Sequence, residues 1–77
     1  MEELYKKTFI KGLSLDDSQK VENLNYNEID EWDSIGHMTL VSELEEAFNV
    51  TLDTDDIVNF SSYAEGKKIL SKLGVKF

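Results

Sequence analysis

The sequence has no cysteine and no proline, and none of its apolar runs is long enough to span a bilayer. Without cysteine, neither a disulfide framework nor a thiolate metal site is possible. The first residues are acidic and lack the apolar centre of a signal peptide, which predicts a reducing, cytoplasmic setting. The 77 residues are expected to form one small domain over 1–77, without room for both a core and a deep catalytic cleft.

Positive charge is missing from the middle of the chain. Between Val21 and Gly66 there is no lysine or arginine, whereas twelve carboxylates fall in that window. All eight lysines lie in the two flanks, so the middle carries −12 and the flanks together carry +4. This distribution argues against nucleic acid as a partner. It fits either a solvated surface that promotes solubility or an acidic docking face for basic partner proteins.

Hydrophobic periodicity predicts a first helix from Glu2 to Lys11, with Gly12 as its stop signal. A polar connector follows from Leu13 to Trp32 and is long for a small domain. A short helical turn is expected in it near residues 16–21. Its scattered apolar residues are expected to pin the connector across the helices; they are Leu15, Val21, Leu24, Tyr26 and Ile29.

The longest predicted helix runs from Ser34 to Phe48, and Asn49 is suited to ending it in a left-handed conformation. Its apolar residues recur every three or four positions and predict a core stripe, with Leu40 and Ala47 widening it. The stripe consists of Ile35, Met38, Val41, Leu44 and Phe48.

Two further helices are predicted near the C-terminus. Asp53 or Thr54 caps a brief helix through Phe60, with Ile57 and Phe60 facing inward. Ser62 and Glu65 have the spacing of a capping box and open a last helix, which places Tyr63, Ile69, Leu70 and Leu73 in the core. Gly74 suits a Schellman ending. The predicted fold is all-α: a small bundle of three main helices plus one short helix, with a long first loop.

The start of the longest helix is the most informative place for function. Asp33 is expected to be its N-cap, which puts Ser34 at the first helical position, among free backbone N–H groups and at the positive end of the helix dipole. Such a place favours a phosphodiester. An ordinary helix start remains one interpretation of the same residues, and a covalent attachment point is another.

A nucleophilic Ser34 with His37 as base and Asp33 as orienting group is a third interpretation. Against it, the Gly-x-Ser-x-Gly elbow is absent, and neither an oxyanion hole nor a substrate cleft can be identified. His37 has a structural role available, because it is the fifth residue after Trp32 and can pack on that indole across the N-cap.

The run from Asp33 to Val50 resembles the core motif of acyl carrier proteins. In that family an Asp-Ser-Leu/Ile box opens helix II, and an apolar-acidic pattern ending Leu-Glu-Glu-x-Phe completes it. The likeness covers nearly the whole chain, including the short Asp-rich third helix. It implies that Ser34 carries 4′-phosphopantetheine from coenzyme A, attached by a phosphopantetheinyl transferase, with Asp33 adjacent.

The resemblance also implies how such a protein works. The thiol of the arm would carry acyl or aminoacyl groups as thioesters, and a loading ligase and downstream synthase or transferase enzymes would supply the catalytic groups. The carrier would be a non-catalytic monomer without stable membrane association. Its partner face would consist of Asp33, Ile35, Met38, Glu43, Glu45 and Glu46, extended by Asp55 and Asp56. Core packing is the alternative role for Ile35 and Met38.

Departures from the fatty-acid type point to a discrete carrier of a specialised pathway, although fatty-acid synthesis remains open. Gly36-His37 stands where the fatty-acid type usually has an acidic and a small polar residue, and Ser42 replaces an apolar residue. The chain also differs from peptidyl carrier domains, because Glu31-Trp32 precedes Asp33 where those domains often have two glycines. Two other functions compete: an unmodified acidic adaptor domain, and divalent-cation binding. The loops from Asn23 and Asp53 both fail the EF-hand template, which argues against a specific calcium site.

Overall fold

Four helices form the regular structure of residues 2–77, the part of the chain that the computed structural model describes. In chain order they are α1 (Glu2–Gly12), α2 (Ser34–Phe48), α3 (Thr54–Asn59) and α4 (Tyr63–Lys72). The all-α prediction of three main helices, one short helix and a long first connector is confirmed. Met1, which the predicted domain includes, lies outside the described residues.

The helix boundaries follow from the capping residues. The side chains of Asp33, Asp53 and Ser62 each accept a hydrogen bond from the backbone N–H three residues later, over 2.8, 2.8 and 3.0 Å. These bonds satisfy donors that the first turn of a helix leaves without a partner. At the C-terminal ends, Asn49 and Gly74 adopt the predicted left-handed conformation, with φ of 54° and 103°. The helix α3 ends at Asn59, one residue earlier than predicted.

An aromatic cluster fills the centre of the core. Trp32 is fully buried, and its ring meets those of Phe9 and Phe60 edge-on, with centroids 5.1 and 6.3 Å apart. Edge-on contacts of this kind add to the stabilisation that burial alone provides. The connector therefore contributes the largest fully buried side chain of the core, immediately before α2 begins.

The helices α1 and α2 pack closely where Gly12 meets Leu40. A Cβ atom at Gly12 would lie 2.9 Å from the Cα atom of Leu40, so a larger residue would push the two helices apart. The glycine predicted as a stop signal is the last residue of α1 and also permits this close approach.

The connector is pinned by buried apolar residues, as predicted, and also by backbone hydrogen bonds. Val21 and Leu24 are buried. The backbone N–H of Tyr26 donates to the carbonyl of Ser61 over 2.8 Å, and the N–H of Tyr63 donates to that of Leu24 over 3.0 Å. These bonds attach the middle of the connector to the junction between α3 and α4.

The predicted helical turn near residues 16–21 is wrong. The segment forms a hydrogen-bonded turn, in which the Asp16 carboxylate accepts bonds from the backbone N–H and the hydroxyl of Ser18. An aspartate that bonds the backbone two residues later competes with helix formation, which explains the difference. Of the four helices in residues 2–77, none combines the length and apolar character required to cross a membrane.

Candidate functional site

Ser34 is the first residue of α2, and its side chain is exposed to solvent. Asp33 immediately before it is the N-cap: its Oδ1 accepts from the N–H of Gly36 over 2.8 Å, and its carbonyl accepts from the N–H of His37 over 2.8 Å. The predicted positions of Asp33 and Ser34 are confirmed. The arrangement presents a primary hydroxyl at the surface, at the positive end of a 15-residue helix.

Gly36 allows the connector to fold back onto the first turn of α2. A Cβ atom at this position would lie 2.0 Å from the carbonyl oxygen of Glu31, far inside contact distance. Any side chain at Gly36 would therefore displace the segment that leads into Ser34.

His37 is buried behind the helix start and holds three segments together. Its Nδ1 accepts a 2.9 Å hydrogen bond from the indole N–H of Trp32, so the ring donates through Nε2 to the carbonyl of Ile57, 2.8 Å away. The rings of Trp32 and His37 lie edge to edge and nearly parallel, with centroids 6.2 Å apart and planes inclined by 23°, so His37 contacts the indole across the N-cap as predicted. With both ring nitrogens engaged, His37 has no lone pair free to accept the proton of Ser34.

The neighbour of the Ser34 hydroxyl is Tyr26, whose Oη lies 3.3 Å from Ser34 Oγ. Sequence reasoning assigned Tyr26 only to pinning the connector and missed this contact. The two residues are eight positions apart, across turns that carry no helical or strand periodicity, so no spacing rule indicates the contact.

A small apolar cavity of about 220 Å³ opens beside this pair of hydroxyl groups. It lies between the connector, α2 and the segment from α3 to α4. Its lining residues are Tyr26, His37, Ile57, Val58, Phe60 and Ser61. Tyr26 therefore belongs both to the wall of the cavity and to the surroundings of Ser34.

The predicted core stripe of α2 is wrong at its first two positions. Ile35 is 79% exposed and Met38 is 52% exposed, so both face solvent. The stripe of α2 that faces the core consists of His37, Leu40, Val41 and Leu44, with Phe48 partly buried against it. The difference is confined to the N-terminal part of the helix, where the hydrogen-bonded His37 faces the core in place of Ile35 and Met38. Of the two roles weighed for Ile35 and Met38, the structure favours surface exposure over core packing.

Val58 on α3 is 72% exposed. We call the large exposed apolar side chains of α2 and α3 the apolar surface set; they are Ile35, Met38 and Val58.

The predicted acidic residues of α2 differ in what they contact. Glu43 forms an ion pair with Lys11 of α1, with Oε1 and Nζ 3.1 Å apart. Glu45 accepts a 2.8 Å hydrogen bond from the backbone N–H of Leu52, in the link after the helix. Glu46 is exposed. Glu43 and Glu45 therefore each contact another segment of the fold, although the Glu43 pair is partly solvent-exposed, and Glu46 is directed to solvent.

Asp55 and Asp56 differ in the same way. Asp55 is exposed, whereas the side chain of Asp56 is only 5% exposed and its Oδ1 lies 2.6 Å from Nζ of Lys72 on α4. Hydrogen bonding to Lys72 holds the pKa of Asp56 below its usual range. The prediction that both aspartates extend the partner face is therefore corrected for Asp56, whose buried carboxylate ties α3 to α4.

Asp33, which the resemblance also assigns to the partner face, is exposed. Two further carboxylates before the helix, those of Asp30 and Glu31, are exposed as well and were not predicted as partner contacts. Within residues 2–77, no three histidine, aspartate or glutamate side chains come together in a group that could hold a metal ion.

Comparisons of the chain with protein-family models, curated proteins and solved structures find no match.

Proposed function

We propose that this chain is a carrier protein that holds acyl or aminoacyl groups as thioesters on a 4′-phosphopantetheine arm attached to Ser34. The observation that carries the proposal is the exposed Ser34 hydroxyl at the start of the longest helix, in a sequence that resembles the acyl carrier protein motif. His37, the one histidine of the chain, bonds two structural partners and is not available as its base.

The residues around Ser34 fit the attached group. An exposed hydroxyl permits access by a transferase, and the first turn of α2 directs N–H groups and a positive dipole end toward a phosphodiester. In the attachment step, Ser34 Oγ bonds to the phosphorus next to pantetheine in coenzyme A. The bond from that phosphorus to adenosine 3′,5′-bisphosphate breaks, and the serine proton passes to a base of the transferase.

The surface around Ser34 also suits docking by other enzymes. The apolar surface set offers Ile35, Met38 and Val58, while Glu46 and Asp55 are exposed acidic side chains on the same two helices. We propose that the transferase, a loading ligase and downstream synthase or transferase enzymes bind this surface through apolar contacts and basic patches. Such partners would supply the catalysis, and the carrier would serve a specialised biosynthetic pathway.

Mass spectrometry of the intact protein tests the proposal. Wild-type protein incubated with coenzyme A and a broad-specificity phosphopantetheinyl transferase is expected to gain the mass of one phosphopantetheinyl group. Ser34→Ala is expected to abolish the gain, whereas Ser42→Ala, at an exposed serine on the same helix, keeps it. An unmodified wild type, beside a known carrier that is fully labelled, contradicts the proposal.

An unmodified adaptor domain is the second candidate, and the apolar surface set is the observation that favours it. Such a domain would bind partners through Ile35, Met38 and Val58 without a covalent group. The same mass experiment separates the two, because an adaptor acquires no adduct at Ser34.

A further inference from the structure

We propose that Tyr26 is a positioning residue for Ser34: its hydroxyl holds the serine hydroxyl before attachment and donates a hydrogen bond to the phosphodiester afterwards. The inference rests on the proposed function. Its starting observation is the 3.3 Å separation between Tyr26 Oη and Ser34 Oγ. The two residues are eight positions apart in the sequence.

The backbone of Tyr26 is fixed on both sides. Its N–H donates to the carbonyl of Ser61 over 2.8 Å, and the following N–H of Asn27 donates to the carbonyl of Trp32 over 2.9 Å. Asn25 forms an isolated antiparallel bridge with Ser62. The Cα position of Tyr26 is therefore set by the folded core, unlike that of a typical exposed loop residue.

The ring of Tyr26 is fixed as well. It meets the ring of Trp32 edge-on with centroids 6.1 Å apart, and that of His37 with centroids 5.2 Å apart. Trp32 and His37 are themselves joined by a hydrogen bond. Although Tyr26 is 41% exposed, its hydroxyl is thus held beside Ser34 by two buried neighbours.

The charge distribution explains why a neutral donor matters at this place. A phosphodiester on Ser34 is negative, it would stand next to the Asp33 carboxylate, and the Val21–Gly66 segment contains no lysine or arginine. Within that segment the stabilisation must come from backbone N–H groups and hydroxyl groups. After attachment, Ser34 Oγ is bonded to phosphorus, and the non-bridging phosphate oxygens lie two bonds beyond Oγ. They are therefore within hydrogen-bonding reach of a hydroxyl that lies 3.3 Å from Oγ.

The test uses Tyr26→Phe, which removes the hydroxyl and keeps both ring contacts. The ³¹P NMR resonance of the modified protein is expected to move by more than its linewidth relative to wild type, with an unchanged urea midpoint. We also expect kcat for attachment by the transferase to fall roughly two- to tenfold, the range of one hydrogen bond, with KM for the carrier unchanged. Thr39→Val is the control, because it removes an exposed hydroxyl on α2 that bonds only the carbonyl of Ile35.

The outcomes separate this inference from the proposed function. If wild-type protein acquires no adduct, the proposed function fails. If wild type is modified but Tyr26→Phe gives the same ³¹P resonance, the proposed function stands and the role of Tyr26 is overturned, even where kcat falls. A displaced resonance in Tyr26→Phe, absent in Thr39→Val, supports the hydrogen bond to the phosphodiester.

Discussion

The indole N–H of Trp32 donates a hydrogen bond to Nδ1 of His37, and the two rings lie edge to edge and nearly parallel. The opposite nitrogen of the same imidazole bonds the carbonyl of Ile57 on α3. One side chain thereby joins the connector, α2 and α3, and all three contribute to the lining of the apolar cavity.

His37→Ala is expected to lower the free energy of unfolding by about 2–4 kcal/mol, because it leaves a cavity and a buried polar group without its partner. That group is the Trp32 N–H. The Ile57 carbonyl loses its bond to His37 but still accepts from the N–H of Phe60. Met38→Ala, at the exposed neighbouring position, should change the free energy of unfolding by less than about 0.5 kcal/mol. Urea unfolding followed by circular dichroism measures both, and equal midpoints for the two variants would contradict the role of His37.

The sequence predicts most of the fold because its signals are local. Caps at Asp33, Asp53 and Ser62 and the left-handed residues Asn49 and Gly74 each act within one turn of helix, so they place the helix ends without knowledge of the tertiary structure. The chain position of Ser34 follows from the same signals.

The errors arise where a distant partner decides the position of a side chain. Apolar periodicity in α2 is compatible with a stripe that begins at Ile35, and only the bonds to Trp32 and Ile57 show that His37 is inside. The same applies to Asp56. A carboxylate is expected at the surface, and only the ion pair with Lys72 on another helix explains why this one is buried. Contacts between segments of irregular structure leave no periodic trace in the sequence.

Gly36→Ala should destabilise the protein although alanine favours helices by about 1 kcal/mol over glycine. The added Cβ would collide with the carbonyl of Glu31, and relief of that contact requires movement of the segment before Ser34. We expect a net loss of about 1–3 kcal/mol in the free energy of unfolding. Thermal unfolding measures this, with Ser42→Ala at an exposed position of α2 as control. If Gly36→Ala is as stable as Ser42→Ala, the segment before Ser34 can move away from the added Cβ atom without a loss of stability.

The ion pair between Asp56 and Lys72 makes a pH-dependent contribution to stability. Because the folded-state pKa of Asp56 is lowered, the contribution is present above the ordinary aspartate pKa of about 3.9 and disappears as the pH falls through the folded value. The pKa of Lys72 is raised by the same hydrogen bond, so alkaline pH removes the contribution only above the usual lysine range.

The comparison of wild type with Asp56→Asn tests this. The difference in the free energy of unfolding between them is expected to be largest near pH 6 and to shrink as the pH falls below 4. Asp55→Asn removes the same formal charge from an exposed neighbour that has no hydrogen bond to Lys72, which makes it the control. A difference for Asp56→Asn that stays constant from pH 6 to pH 2 would contradict the ionic contribution.

Glu45 and Glu46 are adjacent acidic residues, and we expect charge reversal to lower the stability at one and the rate of attachment at the other. Glu45→Lys removes the acceptor of the Leu52 N–H and should lower the free energy of unfolding by about 1–3 kcal/mol. Glu46→Lys leaves the fold intact, because its side chain is exposed, and should instead slow attachment of phosphopantetheine by a transferase with a basic docking patch.

Two measurements separate these effects. Urea unfolding should distinguish Glu45→Lys from wild type, and Glu45→Gln should recover most of the lost stability because its side-chain carbonyl can accept from Leu52. Attachment kinetics should distinguish Glu46→Lys at low ionic strength, with the difference shrinking at 1 M salt, where the Debye length is about 3 Å. If Glu46→Lys and wild type show the same attachment kinetics at low salt, Glu46 is not part of the docking surface. Partners would then bind the apolar surface set without it.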